Sequence, residues 1–119
     1  MQVHQRFWSR RIAAAVAAEL GAPLDILIVR KLGATSRPEV TVGAIGEGGV
    51  RVVNNGLSRS LRLSDGEMKA AEIRERLELA RQAARLRGDR PREELFGRTA
   101  IVVDDGLATG ATARAACAI

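Results

Sequence analysis

Aromatic residues are scarce in this chain: two Phe, one Trp and no Tyr among 119 residues. An interior with so few rings has to be built from Val, Ile, Leu and Ala. The same scarcity removes the stacking platforms that single-stranded nucleic acids use. The arginines, spread over residues 6–11, 51–62 and 74–98, have no aromatic interleaving, so a nucleic-acid partner is not expected. There is one cysteine, Cys117, which excludes an internal disulfide and suits a reducing cytoplasm. It reads as a small apolar residue on the final helix. The single histidine, His4, lies near a terminus expected to fray, and no zinc-ligand spacing occurs. No segment approaches the ~20 apolar residues of a membrane span, so no membrane partner is expected. Arg10 and Arg11 precede an apolar stretch at 12–18, but Glu19 interrupts it and Gly21 and Pro23 follow. An Ala-rich amphipathic helix explains that stretch better than an export signal.

What remains suits one domain with a modest core: 46% hydrophobic residues, 28% charged and a formal charge of +5. A basic balance of this size fits a small polyanionic ligand or a solvated surface. Residues 10–20 read as a helix capped by Gly21, and residues 24–29 as a buried strand of parallel-sheet type. Residues 33–38 read as a loop. Two β-rich runs, 40–45 and 50–53, flank Gly46-Glu47-Gly48-Gly49 and predict a hairpin with Glu47 as a charge at its tip. Asn54-Asn55-Gly56 marks a turn. Ser64 and Glu67 have capping-box spacing for a helix running to about Arg87. In it Ile73, Leu77, Ala80 and Ala84 recur at helical spacing, Glu72 and Arg76 form an i,i+4 pair, and the charges make a solvated face.

The most informative segment is Val102-Val103-Asp104-Asp105-Gly106-Leu107-Ala108-Thr109-Gly110-Ala111-Thr112. Residues 100–103 read as a buried strand running into two carboxylates and then a Gly/Thr loop that opens a helix. Asp104 and Asp105 can accept hydrogen bonds from a vicinal diol. The turn that follows offers backbone N–H groups and the hydroxyls of Thr109 and Thr112 to a phosphate at a helix N-terminus. Gly106 and Gly110 allow positive φ and close backbone approach. The loop lacks a Walker A lysine and dinucleotide-fingerprint spacing, which argues against ATPase and NAD readings. The bland alternative, an acidic pair complementing a helix macrodipole, accounts for one aspartate but not for the whole run.

This segment resembles the phosphoribosyl-pyrophosphate (PRPP) signature of type I phosphoribosyltransferases, in a bacterial branch whose acceptor base is poorly defined. Asp25-Ile26-Leu27-Ile28-Val29-Arg30-Lys31-Leu32-Gly33 is similar to the family strand that ends in basic residues near the pyrophosphate. Gly43-Ala44-Ile45-Gly46-Glu47-Gly48-Gly49 adds to the likeness. The resemblance implies an α/β fold: a partial, Rossmann-like domain, mainly parallel sheet flanked by helices with a small hairpin, occupying residues 1–119. Asp104 and Asp105 would hold the ribose hydroxyls as the catalytic pair. Gly106, Ala108, Thr109, Gly110, Ala111 and Thr112 would complete the PRPP site, and Arg30 and Lys31 would face the pyrophosphate. No metal-ligating residue is implied; Mg²⁺ would be carried mainly by PRPP. The partners implied are PRPP, a base and a second copy of the chain. Residues 5–10 lack the family's glycine-containing loop, and the chain stops at Ile119, so the expectation is a domain truncated at both ends. Two alternatives stay open: an inactive domain that only binds phosphoribosyl ligands or a partner, and a basic nucleic-acid-binding or PRPP-sensing regulator.

Overall fold

Ser64 starts the longest helix of the molecule, and its hydroxyl accepts a hydrogen bond from the Glu67 amide at 3.1 Å. In the computed structural model, which describes residues 2–34, 37, 39–104 and 110–119 and side chains from residue 10 onward, this helix is α3, Asp65–Arg87. Asp65 and Glu67 in its first turn and Arg85 and Arg87 in its last both complement the macrodipole. Gly88, at φ 58°, closes it. The other elements are α1 (Gln2–Leu20), β1 (Val29–Gly33), β2 (Thr41–Gly46), a 3-10 turn (Glu47–Gly49), β3 (Val50–Val53), α2 (Asn55–Ser60) and α4 (Ala111–Ala118). They fall into two compact units, residues 27–90 with 109–119 and residues 1–26 with 91–108.

The larger unit is built on a sheet of order β1-β2-β3, and both pairings are antiparallel. This corrects the expectation of a mainly parallel sheet. The hairpin forms as the two β-rich runs predict, with Ala44 opposite Val52 and Gly46 opposite Val50. The third strand is Val29–Gly33 rather than residues 24–29; it pairs with β2 so that Lys31 faces Ala44 and Val29 faces Gly46. Residues 24–28 and 100–103 are apolar but not strands, and Leu24, Ile101 and Val102 are exposed. A parallel strand needs a partner along its length, and neither run belongs to a strand among the described residues.

Helices cover both faces of the sheet. On one, Leu32, Val42 and Ile45 are fully buried against Leu57 of α2 and Met68 and Leu79 of α3. On the other, Ala44 packs against Ala111 and Ala115 of α4, bordered by Val29, Val50 and Val52. Small residues let α4 lie close to the strands, and such burial contributes about 25 cal/mol per Å² of apolar surface. Asn54 caps α2 by accepting from the Leu57 amide at 3.0 Å, so residues 54–56 begin a helix instead of making the expected turn.

Charge as well as apolar packing ties α3 to the sheet. Arg30 of β1 meets Glu75 at 2.8 Å, Arg51 of β3 meets Glu72 at 2.9 Å, and Arg76 reaches Glu72 at 3.3 Å as expected. Ile73 and Leu77, by contrast, are each 56% exposed, and Ala80 and Ala84 are exposed as well. The apolar stripe legible in the helix therefore points away from the sheet, while Met68 and Leu79 point toward it and Ala71 and Gln82 are buried.

Glu72 gives this packing a pH dependence. Burial pulls its carboxyl upward, but the hydrogen bond and charge of Arg51, then those of Arg76, outweigh that and hold it below the ordinary glutamate value. Its contribution is complete above the unfolded-state value of about 4.3 and is lost as pH falls through the lower folded-state value. Glu72→Gln is expected to cost about 0.5–1 kcal/mol at neutral pH. Urea titrations should show the gap to wild type shrinking as pH falls from about 5 through the acid range. A gap that stayed constant over that range would exclude the ion pair as its source.

In the smaller unit, α1 ends as expected at Gly21. The Ala22 amide donates to Ala17 O at 2.9 Å and the Gly21 amide to Ala18 O at 3.3 Å, a Schellman closure that needs Gly21 at φ 61°. The Asp25 carboxylate then accepts from the amides of Ile26 and Glu93, each at 2.8 Å, which holds the 25–26 and 91–93 segments together. No helix among the described residues is long and apolar enough to cross a membrane.

Candidate functional site

α4 carries the described end of the signature. Gly110, its N-cap, sits at φ 81° and ψ −2°, a left-handed conformation that glycine adopts without penalty. Ala111 is buried at 4% exposure and Thr112 is half-buried. Because Ala111 packs on Ala44, the first turn of α4 is held against the middle of the sheet. The amides of a first helical turn point along the helix axis as donors toward an anion.

The two basic residues at β1 separate. Consecutive side chains on a strand point to opposite faces. Arg30 points to the α3 face, where its guanidinium is engaged by Glu75 at 2.8 Å. Lys31 is exposed and lies opposite Ala44, on the face that α4 covers. Lys31, not Arg30, therefore shares a side of the sheet with the start of α4. Asp104 is exposed and belongs to the smaller unit. Asp105, Gly106, Leu107, Ala108 and Thr109 lie outside the described residues. Among the described residues no three His, Cys, Asp or Glu side chains gather into a metal-binding group.

One residue behaves differently from its sequence reading. Glu47 is not a solvated charge at the hairpin tip: its side chain is 9% exposed and meets Arg87 of α3, whose Nη2 donates to Glu47 Oε1 at 3.2 Å and Oε2 at 3.1 Å. The available signal was an acid among glycines in a chain whose long helix ends in arginines.

Taken together these features define a mixed helix–sheet chain in which a glycine-led helix N-terminus and a lysine share one side of the sheet. No family model matches the sequence. Two Mycobacterium tuberculosis proteins, from strains CDC 1551 / Oshkosh and ATCC 25618 / H37Rv, each bear the name "putative phosphoribosyl transferase". Both are 52% identical to this chain over 108 residues, 91% of its length. The chain spans 24% of the length of each. The crystal structure of TT1426 from Thermus thermophilus is 40% identical, with a TM-score of 0.56, over 86% of this chain and 48% of that one. Along most of its length, then, the chain is a homologue of proteins named as phosphoribosyl transferases.

Proposed function

We propose that this chain carries the phosphoribosyl-binding part of a phosphoribosyltransferase that uses PRPP. Support comes above all from the run at residues 102–112, in a chain homologous to proteins bearing that name. Asp104 and Asp105 hold the ribose hydroxyls. The backbone from Gly106 to Thr112, with the hydroxyls of Thr109 and Thr112, takes the 5-phosphate. Lys31 neutralises part of the pyrophosphate; Arg30, bound to Glu75, supports the strand that presents it.

In the reaction, the lone pair of a base nitrogen forms a bond to the anomeric carbon while the bond to pyrophosphate oxygen breaks. Pyrophosphate departs with that electron pair, and the nitrogen loses its proton. The barrier falls because both partners are positioned and the departing charge meets oriented donors. Asp104 and Asp105 act through the sugar rather than by moving a proton. Mg²⁺, when bound, supplies further charge neutralisation on the pyrophosphate through ligand oxygens and water.

Calorimetry separates the two halves of the site. Asp105→Asn is expected to weaken PRPP, and Thr109→Ala to weaken both PRPP and ribose 5-phosphate, each by about tenfold or more. Wild-type affinity in both variants would remove the assignment. Pyrophosphate release with PRPP and a base would exclude an inactive domain.

A further inference from the structure

The outward face of α3 is built to be covered. Ala70, Ile73, Leu77, Ala80 and Ala84 are spaced three and four apart, the pattern of a helix seam, and all are exposed. The helix's other side already packs on the sheet through Met68, Ala71 and Leu79. Part of this outer strip, from Lys69 to Ala80, forms one shallow depression. The flanks of the seam carry mostly cations, Lys69 and Arg76 on one side and Arg74 and Arg81 on the other, with Glu67 at the start of the second flank and Glu72 lining the depression. Arg76 is shared with Glu72, and Arg81 is paired with Glu78. Lys69 and Arg74 are exposed.

We propose that this face docks an amphipathic helix of a different protein, one whose apolar stripe is flanked by carboxylates. Charge selects that occupant. A parallel second copy of α3 would set Lys69 against Arg74 and Arg76 against Arg81, since flanking positions pair with each other across a helix seam. The chain's own shorter helix α4 carries Arg114 and no acid. A membrane surface is served by large apolar and aromatic side chains, and α3 has no aromatic residue. An acidic helix satisfies both features: its apolar residues cover Ile73 and Leu77, and its carboxylates meet Lys69 and Arg74.

The test uses the full chain and two labelled synthetic helices with the same leucine seam, one flanked by glutamates and one by lysines. Fluorescence anisotropy at physiological salt is expected to show the glutamate-flanked helix binding at least about tenfold tighter. Ile73→Ser with Leu77→Ser should abolish that binding; both side chains are exposed, so the fold tolerates the change, which circular dichroism verifies. Lys69→Glu with Arg74→Glu should shift preference to the lysine-flanked helix. Equal binding of the two helices, or binding unchanged in the serine variant, overturns the proposal. So does a wild-type dimer in ultracentrifugation that the serine variant dissociates, or tighter retention on phosphatidylserine vesicles than on the acidic helix. None of these outcomes depends on PRPP, so failure here is separable from failure of the proposed function.

Discussion

Gly43→Ala is expected to unfold the sheet, at a cost of about 3 kcal/mol or more. A Cβ built at Gly43 would lie 2.3 Å from the carbonyl oxygen of Val52 and 3.2 Å from the Val53 Cα. Both are backbone atoms of β3, so no rotamer change relieves the overlap. β2 is the central strand, paired on both sides, and cannot retreat from β3 without losing register with β1. Natural domains have only about 5–15 kcal/mol of stability to lose, so the loss should be plain in a urea melt. Gly46→Ala is the internal control. Its Cβ would come within 2.8 Å of Ile119, but the atom met is the end of a flexible side chain at the last residue of the chain. That side chain can turn aside, and the cost should stay at about 1 kcal/mol or less. Similar melts for the two variants would mean that β3 lies farther from Gly43 than the structure places it.

The elements that sequence defined best are those whose ends carry their own chemistry. Ser64 and Gly88 bracket α3 because each satisfies backbone groups of the same helix, and Gly21 does the same for α1. The hairpin was legible because its two strands are neighbours joined by glycines. The third strand was not. Residues 24–28 are more apolar than residues 29–33, yet the latter pair with β2, because strand formation depends on a partner distant in sequence. Apolar spacing also misled at α3, where it located a helix correctly but not the face that packs. The face that packs carries Met68 and Leu79 against the core and Glu72 and Glu75 against Arg51 and Arg30 of the sheet.

Of the candidate site, the described part is its end, where Gly110 opens a helix as the glycine and threonine spacing expects. The division of Arg30 from Lys31 was not legible in the sequence, though it follows from their adjacency once a strand is known to run through them. A pair of cations at a strand end looks like one feature in sequence and serves two faces in space. Arg30 binds the helix behind the sheet, and Lys31 remains on the side where α4 begins.

Breaking the contact between Glu47 and Arg87 is expected to cost about 3–5 kcal/mol, because each supplies the opposite charge to a partner that burial holds away from water. The two side chains are only 9% and 10% exposed, and one guanidinium nitrogen serves both carboxylate oxygens. The contact joins the turn between β2 and β3 to the last turn of α3. Arg87 there also meets the negative end of the helix dipole. Glu47→Gln keeps the size and removes the charge, so its melt reads electrostatics with little change in packing. Arg87→Met should be comparably costly, since it removes the guanidinium that donates to both carboxylate oxygens. The double variant, Glu47→Leu with Arg87→Met, should lose much less than the sum of the single variants, because a buried ion pair exchanged for apolar groups is often close to neutral. A double-mutant cycle without coupling would show that water reaches the pair and screens it. Strong coupling would mean that the hairpin is clamped at two points, by α4 on Ala44 and by α3 on Glu47, so that the strand bearing Lys31 is held on a rigid support beside the start of α4.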